Sequence, residues 1–97
     1  MSRYGNKVDA NQGVIVAALR AVGVKVHVTS DLGDGFPDLV CYRAGFGVRL
    51  LEVKDGDKPP SKRRLTEEQC RFAKDFPVDP VNSVAEALAV FGLEVAR

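Results

Sequence analysis

Asp38-Leu39-Val40-Cys41-Tyr42-Arg43, Ala44-Gly45-Phe46-Gly47 and Val48-Arg49-Leu50-Leu51-Glu52-Val53-Lys54 follow one another without a break. They read as a strand, a turn and a returning strand. Pro37 at the threshold of the first strand is tolerable, because a strand's first position need not donate to the ladder. Leu39-Val40-Cys41 and Leu50-Leu51 are nearly continuous in apolar residues, which predicts a sheet covered on both faces. Side chains two apart on a strand share a face. Glu52 and Lys54 therefore point together, and Val53 points into the opposite layer. With the turn centred near Gly45 and Phe46, Asp38 falls across from the Glu52–Lys54 edge.

Upstream, residues 1–8 form a polar lead-in. Asp9 or Asn11 can cap a helix that runs to about Val22, with Val14, Ile15, Ala18, Leu19 and Val22 as its buried stripe and Gly23 as its stop. Val24, Val26 and Val28 alternate with Lys25 and His27 as a strand does. Gly33 and Gly35 let the backbone turn sharply before Asp38. Downstream, residues 55–65 are a basic, proline-bearing loop. Thr66 caps a helix to about Phe76, and Gln69 stands where a capping-box partner would. Residues 77–81 suit a short strand, and Ser83 with Glu86 opens a helix that ends before Gly92. The order α-β-β-β-α-β-α predicts an α/β (α+β) chain with a mixed central sheet and helices against both faces.

The chain has 97 residues, the length of one domain, and a formal net charge of +1. That charge alone does not suggest a nucleic-acid binder, but its distribution does. Lys58, Lys62, Arg63 and Arg64 crowd one segment beside Lys54, a local stripe able to face phosphates. Cys41 and Cys70 form no Cys-x-x-Cys pair and read as buried thiols of a reducing compartment. His27 is the only histidine, so a structural zinc site lacks ligands. No apolar run is long enough to span a bilayer, and residues 1–8 are too polar for a signal peptide. A cytoplasmic location is expected.

The sharpest chemical feature is Pro37-Asp38 followed by Glu52-x-Lys54. Two carboxylates and one ammonium at a common edge can hold a divalent ion. Mg²⁺ prefers oxygen ligands and usually takes one or two carboxylates. Such an ion would polarise a phosphoryl oxygen and acidify water. Lys54 either loses its proton readily through burial or stays cationic and stabilises developing negative charge; the sequence leaves both open. Asp after Pro is common in turns, and Glu-x-Lys on a strand is often an ordinary solvated ion pair. The pattern gains weight here because it falls on neighbouring strands, follows glycines and precedes a basic segment.

In these motifs the chain resembles the PD-(D/E)xK nuclease superfamily, and more narrowly the small, phage-type VRR-NUC nucleases. The resemblance rests on Asp9-Ala10-Asn11-Gln12, Gly33-Asp34-Gly35-Phe36-Pro37-Asp38-Leu39-Val40, Leu50-Leu51-Glu52-Val53-Lys54-Asp55-Gly56, Lys58-Pro59-Pro60-Ser61 and Leu65-Thr66-x-x-Gln69-x-x-Phe72. It implies a restriction-endonuclease-like core and a nuclease acting on DNA with Mg²⁺ or Mn²⁺. Asp38 and Glu52 would be the metal ligands, helped by the Val53 backbone carbonyl. Lys54 would be the catalytic lysine, and Gln69 matches the glutamine of the following helix. Many superfamily members carry a metal-directed glutamate on the first helix. The corresponding position here is Gln12, which brings no negative charge and shifts the demand to Asp9. The resemblance also implies a homodimer acting on branched DNA, as Holliday-junction resolvases do, in a bacterial or phage-infected cell. Lys58, Ser61, Lys62, Arg63 and Arg64 would contact DNA. The alternatives are a non-catalytic DNA-binding module that kept the fold, or a protein-interaction domain with no nucleic-acid role. Gln69 either completes Thr66's cap or serves the site, two roles that compete for one side chain; His27 as incidental and the five phenylalanines as packing residues complete the expectations.

Overall fold

The computed structural model describes residues 11–54 and 65–95. Along the chain lie α1 (Gln12–Ala21), β1 (Lys25–Val28), β2 (Leu39–Arg43), β3 (Gly47–Val53), α2 (Glu67–Asp75), β4 (Asp79–Val81) and α3 (Val84–Val90). This is the expected α-β-β-β-α-β-α order. The strands form one four-stranded sheet in the order β1-β2-β3-β4. Neighbours β1–β2 and β2–β3 are antiparallel and β3–β4 is parallel, so the sheet is mixed. Parallel neighbours need a crossover, and α2 lies within it.

The core occupies one face of this sheet. Leu39, Cys41, Leu51, Val53 and Val81 project into it from the strands, Ile15, Val16 and Leu19 from α1, and Ala87, Leu88 and Phe91 from α3 and its end. α1 and α3 pack against each other there.

The buried stripe of α1 is not the expected one. Ile15 and Leu19 are buried as expected, but Val14 and Val22 are exposed, and Gln12 and Val16 take their place. Positions 12, 15, 16 and 19 and positions 14, 15, 18, 19 and 22 both satisfy helical spacing. The observed rotation buries an amide and leaves two valines exposed.

Coverage of the second face also departs from expectation. Glu52 and Lys54 point to that face, and α2 meets them through Gln69. Farther along, Val40 and Leu50 are half-buried, while Tyr42 is 47% and Val48 63% exposed. The reason is reach. α2 has nine residues, about 13 Å of helix, against the roughly 23 Å of a seven-residue strand such as β3. It therefore covers only the end of the face that carries Glu52. The apolar run in β2 and β3 is explained by one buried layer and one half-open layer.

Cys41 is buried, and burial pushes its thiol up to about 11. Cys70 is exposed, contrary to the expectation of a buried thiol, because α2 buries none of its residues. No helix among the described residues is long and apolar enough to cross a membrane.

Candidate active site

The hairpin register decides where the acids meet. Leu39 pairs with Leu51 across β2 and β3, so Asp38 lies opposite Glu52, and directly opposed residues share a face. Thr29 fixes the entry to β2 from behind. Its N–H donates to the Asp38 carbonyl at 2.7 Å and its hydroxyl to the Pro37 carbonyl at 2.8 Å. The Val53 N–H then donates to Asp38 Oδ2 at 2.9 Å. Val53 thus joins the site through its main chain while its side chain lies in the core.

Glu52 is 4% exposed. Gln69 Nε2 donates to Glu52 Oε2 at 2.7 Å, and Lys54 Nζ lies 3.7 Å from the same oxygen. Lys54 Nζ also donates to Gln69 Oε1 at 3.0 Å. Gln69 is at the same time the N3 residue of the α2 capping box. Its Oε1 accepts from the Thr66 N–H at 2.8 Å, and its own N–H donates to Thr66 Oγ1 at 3.1 Å. Capping and site contact were competing expectations for this side chain; both occur at once because Oε1 accepts two donors.

A strained loop holds α2 in register with the strands. Gly33, Asp34 and Gly35 all take left-handed backbone conformations, with φ of 75°, 56° and 79°. At Gly35 a side chain would overlap the Glu68 carbonyl, its Cβ only 2.6 Å from the carbonyl carbon. The loop backbone therefore presses directly on the first turn of α2. Phe36 meets Phe72 edge-on at 5.2 Å, and Phe72 lies against Phe76 at 4.8 Å with the rings tilted by 30°. Phe36 and Phe72 are half-buried and pack as expected, whereas Phe76 is 52% exposed.

Electrostatics mark Glu52 as the unusual member of the group. Burial pushes its carboxyl from an ordinary 4.5 up to about 8; the Asp38 charge and a hydrogen bond with Asp38 push the same way, and Lys54 offsets part of this. With both carboxyls ionised, the single Lys54 ammonium would leave a net negative charge for a cation to relieve; without one, Glu52 keeps its proton. Among the described residues, donors reach Asp38 Oδ2 and Glu52 Oε2 but neither Oδ1 nor Oε1. No set of three or more His, Cys, Asp or Glu side chains gathers there either. Two carboxylates, with no thiolate or imidazole gathered beside them among the described residues, fit a hard ion such as Mg²⁺ or Mn²⁺ and not zinc.

The remaining expected residues are distributed unevenly. Gln12 is buried, and its Nε2 reaches Ser30 Oγ at 3.4 Å. Among the described residues no hydrogen bond joins it to Asp38, Glu52 or Lys54. It abuts the loop after β1, one residue from the Thr29 that braces Asp38. His27 is exposed and pairs with Val40 on the face that carries Asp38 and Glu52, and among the described residues no hydrogen bond joins it to either acid. Asp9, Lys58, Ser61, Lys62, Arg63 and Arg64 lie outside the described residues. One contributor escaped sequence reading altogether. Asn11 precedes α1 as its N-cap, yet its side chain makes no capping bond and instead reaches Lys54. An asparagine before a helix signals a cap and nothing more, so no pattern in the chain pointed to that contact. No protein-family model, curated protein or solved structure matches the chain.

Proposed function

We propose that this chain is a divalent-metal-dependent nuclease that hydrolyses phosphodiester bonds in DNA. The observation that carries the reading is the convergence of Asp38, Glu52, Lys54 and Gln69 at one end of the β2–β3 hairpin, with Glu52 buried and short of positive charge. Asp38 and Glu52 are the residues that would hold Mg²⁺ or Mn²⁺, with the Val53 main chain beside them. When bound, the ion neutralises charge on the scissile phosphate and acts as its Lewis acid.

The protein's own residues supply order around that centre. Lys54 has two acceptors as its described neighbours, Gln69 Oε1 and Glu52 Oε2. It therefore serves as a directed donor, aiming positive charge at the negative charge that develops on phosphate oxygens. Gln69 fixes Lys54 and Glu52 relative to each other, which keeps the constellation preorganised. Lys58, Ser61, Lys62, Arg63 and Arg64 follow directly on Lys54 in sequence and supply phosphate contacts. The VRR-NUC-like motifs support branched or otherwise structured DNA as substrate, a homodimer as the working form and a cytoplasmic setting in a bacterial or phage-infected cell.

The test is cleavage of a four-way junction, a flap, a duplex and a single strand with Mg²⁺ or Mn²⁺. Cleavage that disappears in Asp38→Ala and Glu52→Ala is the expected result. Equal cleavage in those variants refutes the assignment. A second reading, a DNA-binding module without catalysis, is favoured by Gln12, an amide turned toward Ser30 where a third acid would add charge. Metal-independent DNA binding with no cleavage under either ion would select it.

A further inference from the structure

We infer that Asn11 is a positioning residue for Lys54, setting from behind where the lysine side chain leaves the sheet. Asn11 Nδ2 donates to the Lys54 carbonyl at 3.0 Å and to the Asn82 carbonyl at 2.9 Å. The two acceptors are far apart in sequence. Lys54 follows the last residue of β3, and Asn82 follows the last residue of β4. One carboxamide thus ties the ends of two parallel strands to the start of α1.

Three observations separate this from routine capping. Asn11 stands at the N-cap of α1 but with helical backbone angles, φ −88° and ψ −3°, rather than the extended backbone from which a capping oxygen ordinarily accepts from the helix's first N–H groups. Here that bond is absent. Among the described residues Asn11 Oδ1 is buried with no hydrogen-bond partner, an arrangement that works against stability. The donors, by contrast, are both used, and one of them ends on the residue whose side chain enters the site.

The Lys54 main chain is consequently held from both sides. Its N–H donates to the Val81 carbonyl at 2.9 Å and its carbonyl accepts from Asn11. With these fixed, Nζ is delivered to Gln69 Oε1 and Glu52 Oε2. Lys54 lies just beyond the end of β3, so the ladder within that strand does not hold its carbonyl; Asn11 does.

The inference rests on the nuclease reading for its catalytic consequence, and its test separates the two. Asn11→Ala removes both donors; Asn11→Ser keeps one hydroxyl donor. Amide hydrogen exchange in the metal-free protein is the first measurement. Exchange at the Lys54 N–H is expected to quicken about tenfold or more in Asn11→Ala, with Leu51 unchanged, and to be partly restored in Asn11→Ser. Exchange that is unchanged at Lys54, or that quickens equally across the sheet, overturns the inference. Single-turnover cleavage is the second measurement. It is expected to fall by about 10- to 100-fold in Asn11→Ala, with Mn²⁺ affinity retained. A wild-type protein that cleaves while Asn11→Ala cleaves equally well also overturns it. A wild-type protein that cleaves nothing overturns the nuclease reading instead, and the exchange measurement still decides what Asn11 does.

Discussion

Replacing Glu52 by glutamine isolates what a buried, like-charged carboxylate costs this protein. Glu52 is pushed from an ordinary 4.5 up to about 8, first by burial and then by Asp38. An acid raised in this way keeps its proton in the folded chain at a pH where the unfolded chain has lost it. Below about pH 4.5 both states are protonated and no penalty exists. Stability then falls as pH rises to about 8, and above that the whole penalty is in force. Each pH unit of such an interval costs about 1.4 kcal/mol, so the penalty is a substantial part of the roughly 5–15 kcal/mol that holds a typical domain together. Glutamine at this position keeps the shape, accepts from Gln69 and donates toward Asp38, as the protonated acid does. Urea unfolding with chelator present, at pH 5 and pH 8.5, reads the effect. The wild type is expected to be weaker at the higher pH, with Glu52→Gln nearly level between the two. Mg²⁺ should restore the wild type at pH 8.5 and leave the variant unmoved. Because other titrating groups are common to both proteins, their difference belongs to position 52. Parallel pH slopes in the two proteins would refute the reasoning.

Three further outcomes can be checked. Lys54→Ala removes the ammonium 3.7 Å from Glu52 and should lower cleavage by about 100-fold. Mn²⁺ affinity by calorimetry should be equal or tighter, since a competing cation is gone; a larger loss in affinity than in rate would contradict this. Gly35→Ala places a side chain at positive φ and against the Glu68 carbonyl, whereas Gly33→Ala meets only the φ cost because nothing lies within 4 Å. Thermal melts should show Gly33→Ala costing about 1–2 kcal/mol and Gly35→Ala clearly more. Phe91, with no exposed surface, should cost about 3–5 kcal/mol when replaced by alanine, measured by denaturant unfolding.

The strands and caps were legible because local chemistry decides them. Gly45 and Gly47 bound a turn that fixes the register, and that register alone puts Asp38 opposite Glu52. Thr66 with Gln69 and Ser83 with Glu86 announced two helix starts, although the Glu86 carboxylate accepts from the Asn82 N–H and not from Ser83. Tertiary choices were not legible. The side of α1 that turns inward depends on what waits there, and Ser30 receives Gln12 in a place no helical period reveals. The half-open second face was hidden because Val40, Tyr42, Val48 and Leu50 look the same in sequence whether or not a helix lies over them. The bridge from Asn11 to Lys54 and Asn82 spans 43 and 71 positions, a distance over which no spacing rule operates.

Gln69 starts a helix and wires the lysine to the glutamate with the same amide. The helix it starts has no buried residue of its own, so its first turn belongs to the regions that open at low free energy. Warming should therefore disconnect Lys54 from Glu52 while the layer around Ile15, Leu39 and Phe91 is still intact. Function would fade reversibly some degrees below the melting of the sheet, and Thr66→Ala would widen that gap without moving the main transition much.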